Sequence, residues 1–151
     1  MSNPIQAVTR LEFLYLLSFA RLKHQANQEP IPELRRENWD AIDFALHAPG
    51  QTFGEIEAYK GFLNKAAILF YLLAKGHRLD NGNKRMACIT LDYYCGINNR
   101  NLVISDESLY ELALFTVNSD PMNMQECLSG IKAILRLCIK RNRRKRPTTP
   151  T

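Results

Sequence analysis

No apolar run in this chain of 151 residues approaches the roughly 20 residues that a membrane-crossing helix needs, so no membrane role is expected. Its four cysteines, Cys88, Cys95, Cys127 and Cys138, form no Cys-x-x-Cys pair and have no histidine beside them at metal-ligand spacing, which argues against a zinc site. Residues 1–6 (MSNPIQ) have neither the basic nor the apolar region of a secretory signal, and the expected location is cytoplasmic. Disulfides are rare in such a reducing compartment, so the cysteines read as small core hydrophobes. Internal repeats and a second domain are also missing from the pattern, and residues 1–141 read as one domain.

What is present suits a packed core: hydrophobic residues make up 46% of the chain and charged residues 23%, too apolar a balance for intrinsic disorder. The formal charge is +5, but seven of the 20 Lys and Arg residues (Arg136, Lys140, Arg141, Arg143, Arg144, Lys145 and Arg146) crowd the C-terminal end, leaving the rest close to neutral. A basic face covering the whole protein, as expected of a nucleic-acid binder, is therefore not indicated. Residues 142–151 read as a solvated, disordered basic tail, or as a contact for RNA, an acidic partner or a membrane surface.

Helical spacing runs through almost the whole chain, and the expected fold class is all-α, a bundle of about six helices. Thr9 and Glu12 have the capping-box spacing, and Leu11, Leu14, Tyr15, Leu17, Ser18 and Leu22 follow at helical intervals. A second helix is predicted from about residue 33 to 47, with Leu34, Trp39, Ile42, Ala45 and Leu46 as its inner face. Residues 51–57 contain Gly54 and lack helical period, so they form a small hairpin or an irregular loop. From 58 to 75 apolar residues run nearly all round the helix, as in a central buried one. Further helices are predicted over 83–95 and 105–118, and a last one opens at Asp120-Pro121 and runs to about Arg141.

One connection does not read as ordinary loop. Between the two helices that flank it, residues 77–85 read HRLDNGNKR. Gly82, Asn83, Lys84 and Arg85 open a helix, where backbone N–H groups lack intrahelical acceptors and roughly half a positive charge collects. Gly82 allows close backbone approach, and Lys84 and Arg85 add full charges, so the turn suits a phosphate. His77 precedes it at the end of the previous helix. It reads either as a proton acceptor beside that phosphate cradle or as a cap on the last carbonyls of its own helix.

These residues carry a resemblance. Residues 58–98 resemble the core of the Fic/Doc family, whose motif runs His-Pro-Phe-x-Asp/Glu-Gly-Asn-Gly/Lys-Arg. The flanks Lys65, Ala66, Ala67, Leu72 and Leu73 before the motif, and Met86 and Ala87 after it, fit as well. Residues 48–57 contain APGQTFG at 48–54, similar to the family's flap, which docks a target chain as an added strand through Thr52 and Phe53. With the flanking helices, the likeness covers most of residues 8–135 and implies the Fic/Doc fold.

The resemblance also implies roles. His77 would be the general base that deprotonates a target hydroxyl, Gly82 and Asn83 would build the anion-binding turn, and Arg85 would hold nucleotide phosphates. Lys84 stands where adenylyl-transferring members carry Gly and where the Doc, death-on-curing branch carries Lys. Its bulk would fill the space an α-phosphate needs, so the γ-phosphate of ATP would be transferred. The chain departs from the motif at Arg78 and Leu79, in place of Pro and Phe, and at Asn81, in place of the acid that binds Mg²⁺. Leu79 can still anchor the loop, and Asp80 is the nearest carboxylate to replace the lost one. No copy of the family's inhibitory Ser/Thr-x-x-x-Glu-Gly/Asn helix is present.

The reading is thus a toxin of a toxin-antitoxin system, an ATP- and Mg²⁺-dependent kinase acting on a hydroxyl of a target protein and so inhibiting translation. Elongation factor Tu is the target the resemblance suggests, and a separate antitoxin is the expected restraint. The alternatives are AMP or other nucleotidyl transfer, and a binding module that kept the fold but lost catalysis through Asn81. Nucleic acid enters only through the basic tail. His24 and His47 read as capping or surface residues, Asp92 as a solvated helix residue, and one of Tyr93 and Tyr94 as core-facing.

Overall fold

Helix-start chemistry works at the first helix as its sequence specifies. Thr9 N donates to Glu12 Oε1 at 3.0 Å while Glu12 N donates to Thr9 Oγ1 at 3.1 Å, which satisfies two donors at the start of α1 (Arg10–His24). Its inward face is different from the predicted series. Phe13, Leu17 and Ala20 are buried, whereas Leu11, Tyr15 and Leu22 are exposed by 78%, 73% and 69%. The chain carries apolar residues on two faces of this helix, and periodicity alone could not say which meets the core.

The computed structural model describes residues 4–24, 31, 34–76, 79 and 82–142. After a 3₁₀ turn at Arg36–Asn38 comes α2 (Trp39–His47), shorter than predicted, with Ile42, Ala45 and Leu46 buried. A second 3₁₀ turn, Ala48–Gly50, leads into a two-strand hairpin of β1 (Thr52–Phe53) and β2 (Ile56–Glu57), in which Thr52 faces Glu57 and Phe53 faces Ile56. The hairpin alternative for the flap is therefore the correct one.

At the centre lies α3 (Gly61–Lys75), which packs against α2, α4, α5 and α6. Its residues from Lys65 to Tyr71 are all buried, because neighbours cover every side of it. Each large apolar side chain among them, such as Ile68, Leu69 and Phe70, contributes about 1.5–3 kcal/mol by leaving water. Next is α4 (Asn83–Ile97), two residues longer at its end than predicted, since Gly96 is held within the helix. Asn99, at φ 59°, then turns the chain into β3 (Arg100–Leu102).

Ser105 caps α5 (Asp106–Asn118) by accepting from Ser108 N, and Asp120 accepts from Met122 N at the 3₁₀ turn ahead of α6 (Met124–Cys138). The last helix stops at Cys138 rather than at Arg141. Residues Ile139–Arg141 form β4, antiparallel to β3, with Leu102 opposite Ile139 and Arg100 opposite Arg141. These two short strands lacked a sequence signal of their own, because each has only three residues and finds its partner far away in the chain. The result is an all-α bundle of six helices with two small strand pairs.

All four cysteines are free thiols, with Cys95 and Cys127 buried, and Tyr94 is the core-facing tyrosine of its pair. Thr90 Oγ1 is fully buried and, among the described residues, is the one buried side-chain oxygen or nitrogen without a hydrogen-bond partner. An unsatisfied buried hydroxyl costs about 1–3 kcal/mol. Thr90→Val removes the hydroxyl at nearly the same volume and should raise stability by about 1 kcal/mol, seen as a rise of about 2–4 °C in Tm.

Candidate active site

The connection between α3 and α4 is fixed from both sides. Upstream, Lys75 ends α3 and reaches the C-terminal end of α5. Its ammonium donates to Thr116 O at 3.3 Å, Val117 O at 3.0 Å and Ser119 O. Carbonyls at a helix C-terminus lack intrahelical donors and carry partial negative charge, so a cation serves them well. Gly76 N continues the helical bonding to Leu72 O at 3.1 Å, and the residue after it is 77.

Downstream, Leu79 is buried in the core beneath the connection, as the departure from the family's aromatic allowed. Asn83 staples it there. Leu79 N donates to Asn83 Oδ1 at 2.9 Å, and Asn83 Nδ2 donates to Leu79 O at 2.8 Å. Both ends of the amide are used, so this side chain shapes the turn from within. His77, Arg78, Asp80 and Asn81 lie outside the described residues, and with them the read base and both metal candidates.

Gly82 is the N-cap of α4 with φ 85° and ψ 11°, in the left-handed region where only glycine is at ease. A Cβ here would stand 3.0 Å from Ile31 Cγ1 and 3.1 Å from Ile31 Cγ2. The glycine is thus required by its backbone and by the packing of Ile31, in addition to any ligand. Ile31 is itself tied to the first helix, where Arg21 Nε donates to its carbonyl at 3.1 Å. Gly82 has no side chain to cap α4, and no acidic residue occupies the first turn of the helix.

Lys84 and Arg85, in that first turn, are both half-buried. The Lys84 ammonium lies 6.0 Å from the centre of the Tyr110 ring on α5, at the outer limit of a cation–π contact. Arg85 lines a groove of about 560 Å³ between α1, α4 and α5, a volume in the range of small-molecule sites. The groove continues along α4 through Cys88, Ile89, Asp92 and Tyr93, all on the helical face that starts at Arg85.

That groove is polarised. At its far end burial, and then the like charge of Asp106, raise the pKa of Asp92. Asp92 is exposed on α4, in line with its reading as a solvated helix residue, and it also lines the groove. The Cys88 thiol is pushed up to about 12 by burial first and Asp106 second, and so stays protonated at neutral pH. Tyr93 donates its hydroxyl to Glu12 Oε2 and thereby ties the groove to the start of α1. Sequence reasoning missed these residues, though stepping from Arg85 by three and four positions would have found the face.

The flap is held at its base and exposed at its tip. Ala58 N donates to Gln51 O at 2.9 Å and closes the hairpin, while Phe53 and Ile56 are exposed by 68% and 63%. Lys65, only 6% exposed, donates to Pro49 O at 3.1 Å and Tyr59 O at 2.6 Å, and pairs with Glu57 Oε1 at 3.2 Å. One buried cation from α3 thus grips the chain on both sides of the flap. Its sequence signal was a lysine inside an otherwise apolar helix. His47 is exposed at the end of α2, its Nδ1 2.7 Å from Asp43 O, a local contact consistent with a capping role; the side chain of His24 lies outside the described residues.

Among the described residues no group of three or more His, Cys, Asp or Glu could hold a metal ion, and no helix is long and apolar enough to cross a membrane. No curated protein and no solved structure matches the chain with significance. A family model, that of the Fic/DOC family, matches residues 12–95, which take in α1, the flap, α3, the stapled turn and most of α4. Since the match covers more than half of the chain, this protein belongs to the Fic/DOC family.

Proposed function

We propose that this protein is a Doc-type toxin that transfers the γ-phosphate of ATP to a hydroxyl of a target protein. Fic/DOC domains are in general transferases, of AMP or of phosphate. The observation that carries the phosphate reading is the left-handed Gly82 turn at the start of α4, followed by Lys84 where AMP-transferring relatives have glycine. In the proposed reaction His77 takes the proton of the target hydroxyl and that oxygen bonds to the γ-phosphorus. The bond from that phosphorus to the bridging oxygen breaks, and ADP leaves with the electron pair. The N–H groups at the start of α4, with Lys84 and Arg85, offset the charge on the phosphates.

Asp80, with one carboxylate, and Asn81, with one neutral amide oxygen, would be the residues to hold a Mg²⁺ carried in by the nucleotide, an ion that commonly uses one or two carboxylates plus phosphates. Bound so, the ion would reduce the negative charge of the triphosphate. Thr52 and Phe53 on the exposed flap offer backbone and side chain for a target strand. A translation factor, with elongation factor Tu the first to test, is the proposed target. The proposed restraint is a helical segment of a separate antitoxin. Support for it comes from Leu11, Tyr15, Phe19 and Leu22, which form an exposed apolar strip on α1, and from Phe19 also lining the groove.

The test is incubation with Mg²⁺, purified elongation factor Tu or a bacterial extract, and ATP labelled at either the α- or the γ-position. Label transferred from the γ-position, with a phosphate adduct in the mass spectrum, is the expected result. Label arriving only from the α-position would replace this reading with AMP transfer. No label at all, with activity gained on Asn81→Asp, would mark a binding module that lost its chemistry.

A further inference from the structure

At the other end of α3, about 22 Å along the helix from residue 75, lies a second concentration of positive charge. A hollow of about 350 Å³ is lined by Lys60, Arg100, Lys132, Arg136 and Arg141, and among the described residues no acidic side chain lines it. These residues come from four separate parts of the chain: the entry to α3, β3, α6 and β4. Counting charges along the sequence had pointed away from a basic face, because only the fold brings positions 60 and 100 up to the C-terminal cluster.

The arrangement is costly for the protein alone. Arg100 and Arg141 are direct partners across the β3–β4 ladder, where like charges repel. Lys60 is the N-cap of α3, no acidic residue occupies the first turn, and a cation there opposes the helix dipole. Arg100 is nonetheless held firmly in place. Its guanidinium lies 4.0 Å from the centre of the Phe62 ring, which stacks on Tyr94, and its Nη1 donates to Asn98 O at 2.8 Å. Burial first, and the neighbouring Arg141 second, lower its pKa, the signature of a cation short of compensating charge. Lys132 and Arg136 stand one turn apart on the same face of α6.

From these contacts we infer that the hollow is a binding site for the phosphodiester backbone of a nucleic-acid strand, separate from the Gly82 turn. A strand is favoured over a single small anion because the run of cations continues in sequence past Arg141. Asn142 N donates to Asn99 O at 3.0 Å, next to Arg100, and Arg143, Arg144, Lys145 and Arg146 follow directly in sequence. No acidic residue occurs anywhere from 127 to 151. Among the described residues the one aromatic ring lining the hollow, Phe62, is covered by Arg100, so it offers bases no free face to stack on and recognition is through phosphates, independent of sequence.

The experiment is fluorescence anisotropy of a short labelled single-stranded RNA of mixed sequence, titrated with the full chain at several salt concentrations. Affinity should fall linearly on a log–log plot against salt, as counterion release requires. The double reversal Lys132→Glu/Arg136→Glu should weaken binding at least about tenfold while leaving the melting temperature near that of the native chain. Neutralising the tail instead (Arg143→Gln, Arg144→Gln, Lys145→Gln, Arg146→Gln) should leave binding that the double reversal still weakens. Native affinity in the double reversal would overturn the proposal, and so would complete loss on neutralising the tail alone. Equal or tighter binding of phosphatidylserine vesicles or polyglutamate, lost in the same double reversal, would also overturn it and assign the hollow to a membrane or an acidic protein.

Discussion

His77→Ala should slow phosphate transfer to the target by about 10²–10⁴-fold, the range over which a positioned general base acts. Both flanks of residue 77 are anchored. Two positions before it, Lys75 is bonded to three carbonyls at the end of α5, and two positions after it, Leu79 is buried and held by both polar atoms of Asn83. Anchored flanks of this kind suit a general base, because orientation is most of what a base contributes. Neither anchor depends on the imidazole. Thermal melting of His77→Ala should therefore stay close to native while labelled-phosphate transfer collapses. A variant retaining native transfer rates would remove His77 from the chemistry, and one that unfolds would assign it to the cap of α3 instead.

Gly82→Val is the most destabilising single change expected at the site. Left-handed backbone costs a side-chain-bearing residue about 1–2 kcal/mol, more for a β-branched one. The new Cβ would also stand 3.0 Å from Ile31 Cγ1 in a buried environment, and overpacking of that kind costs about 1–3 kcal/mol. Together these give roughly 2–5 kcal/mol, a large part of the stability of an ordinary domain. Nucleotide affinity should fall with it, because the helix start that would receive the phosphates moves. The two causes are separable. Ile31→Ala placed beside Gly82→Ala relieves the clash and leaves the φ strain, so it should recover part of the loss but not all of it. Melting curves of the single and double variants measure this, and a Gly82→Val chain that melts with the native one would refute the argument.

Much of the architecture was legible before any coordinate. The Thr9–Glu12 capping box, Ser105 and the Asp120-Pro121 start all act through atoms within three residues, so their meaning survives without tertiary context. The all-round apolar pattern of α3 marked it as central, since only a helix covered on every side can leave so few polar positions. The motif at 77–85 was visible as glycine, amide and cations at the opening of a helix, and Leu79 as its anchor. Where reading failed, two solutions had equal local merit. Helix α1 carries apolar residues on two faces, and the core chose Phe13, Leu17 and Ala20 over Leu11, Tyr15 and Leu22. The end of α6 gave way to β4 because β3, some 40 positions earlier in the numbering, offered hydrogen bonds that a longer helix could not.

The sequence by itself determined the helical class, the order of the elements, the caps and the glycine that opens α4, because each of these depends on neighbours along the chain. Only the tertiary structure decided that Lys65 grips the flap, that Lys75 secures the end of α3, that Ile31 forbids a Cβ at residue 82, and that distant cations converge on one hollow. Those facts are contacts between segments far apart in sequence. They exist only once burial of the apolar faces has brought the segments together, and no local pattern encodes which partner each will meet.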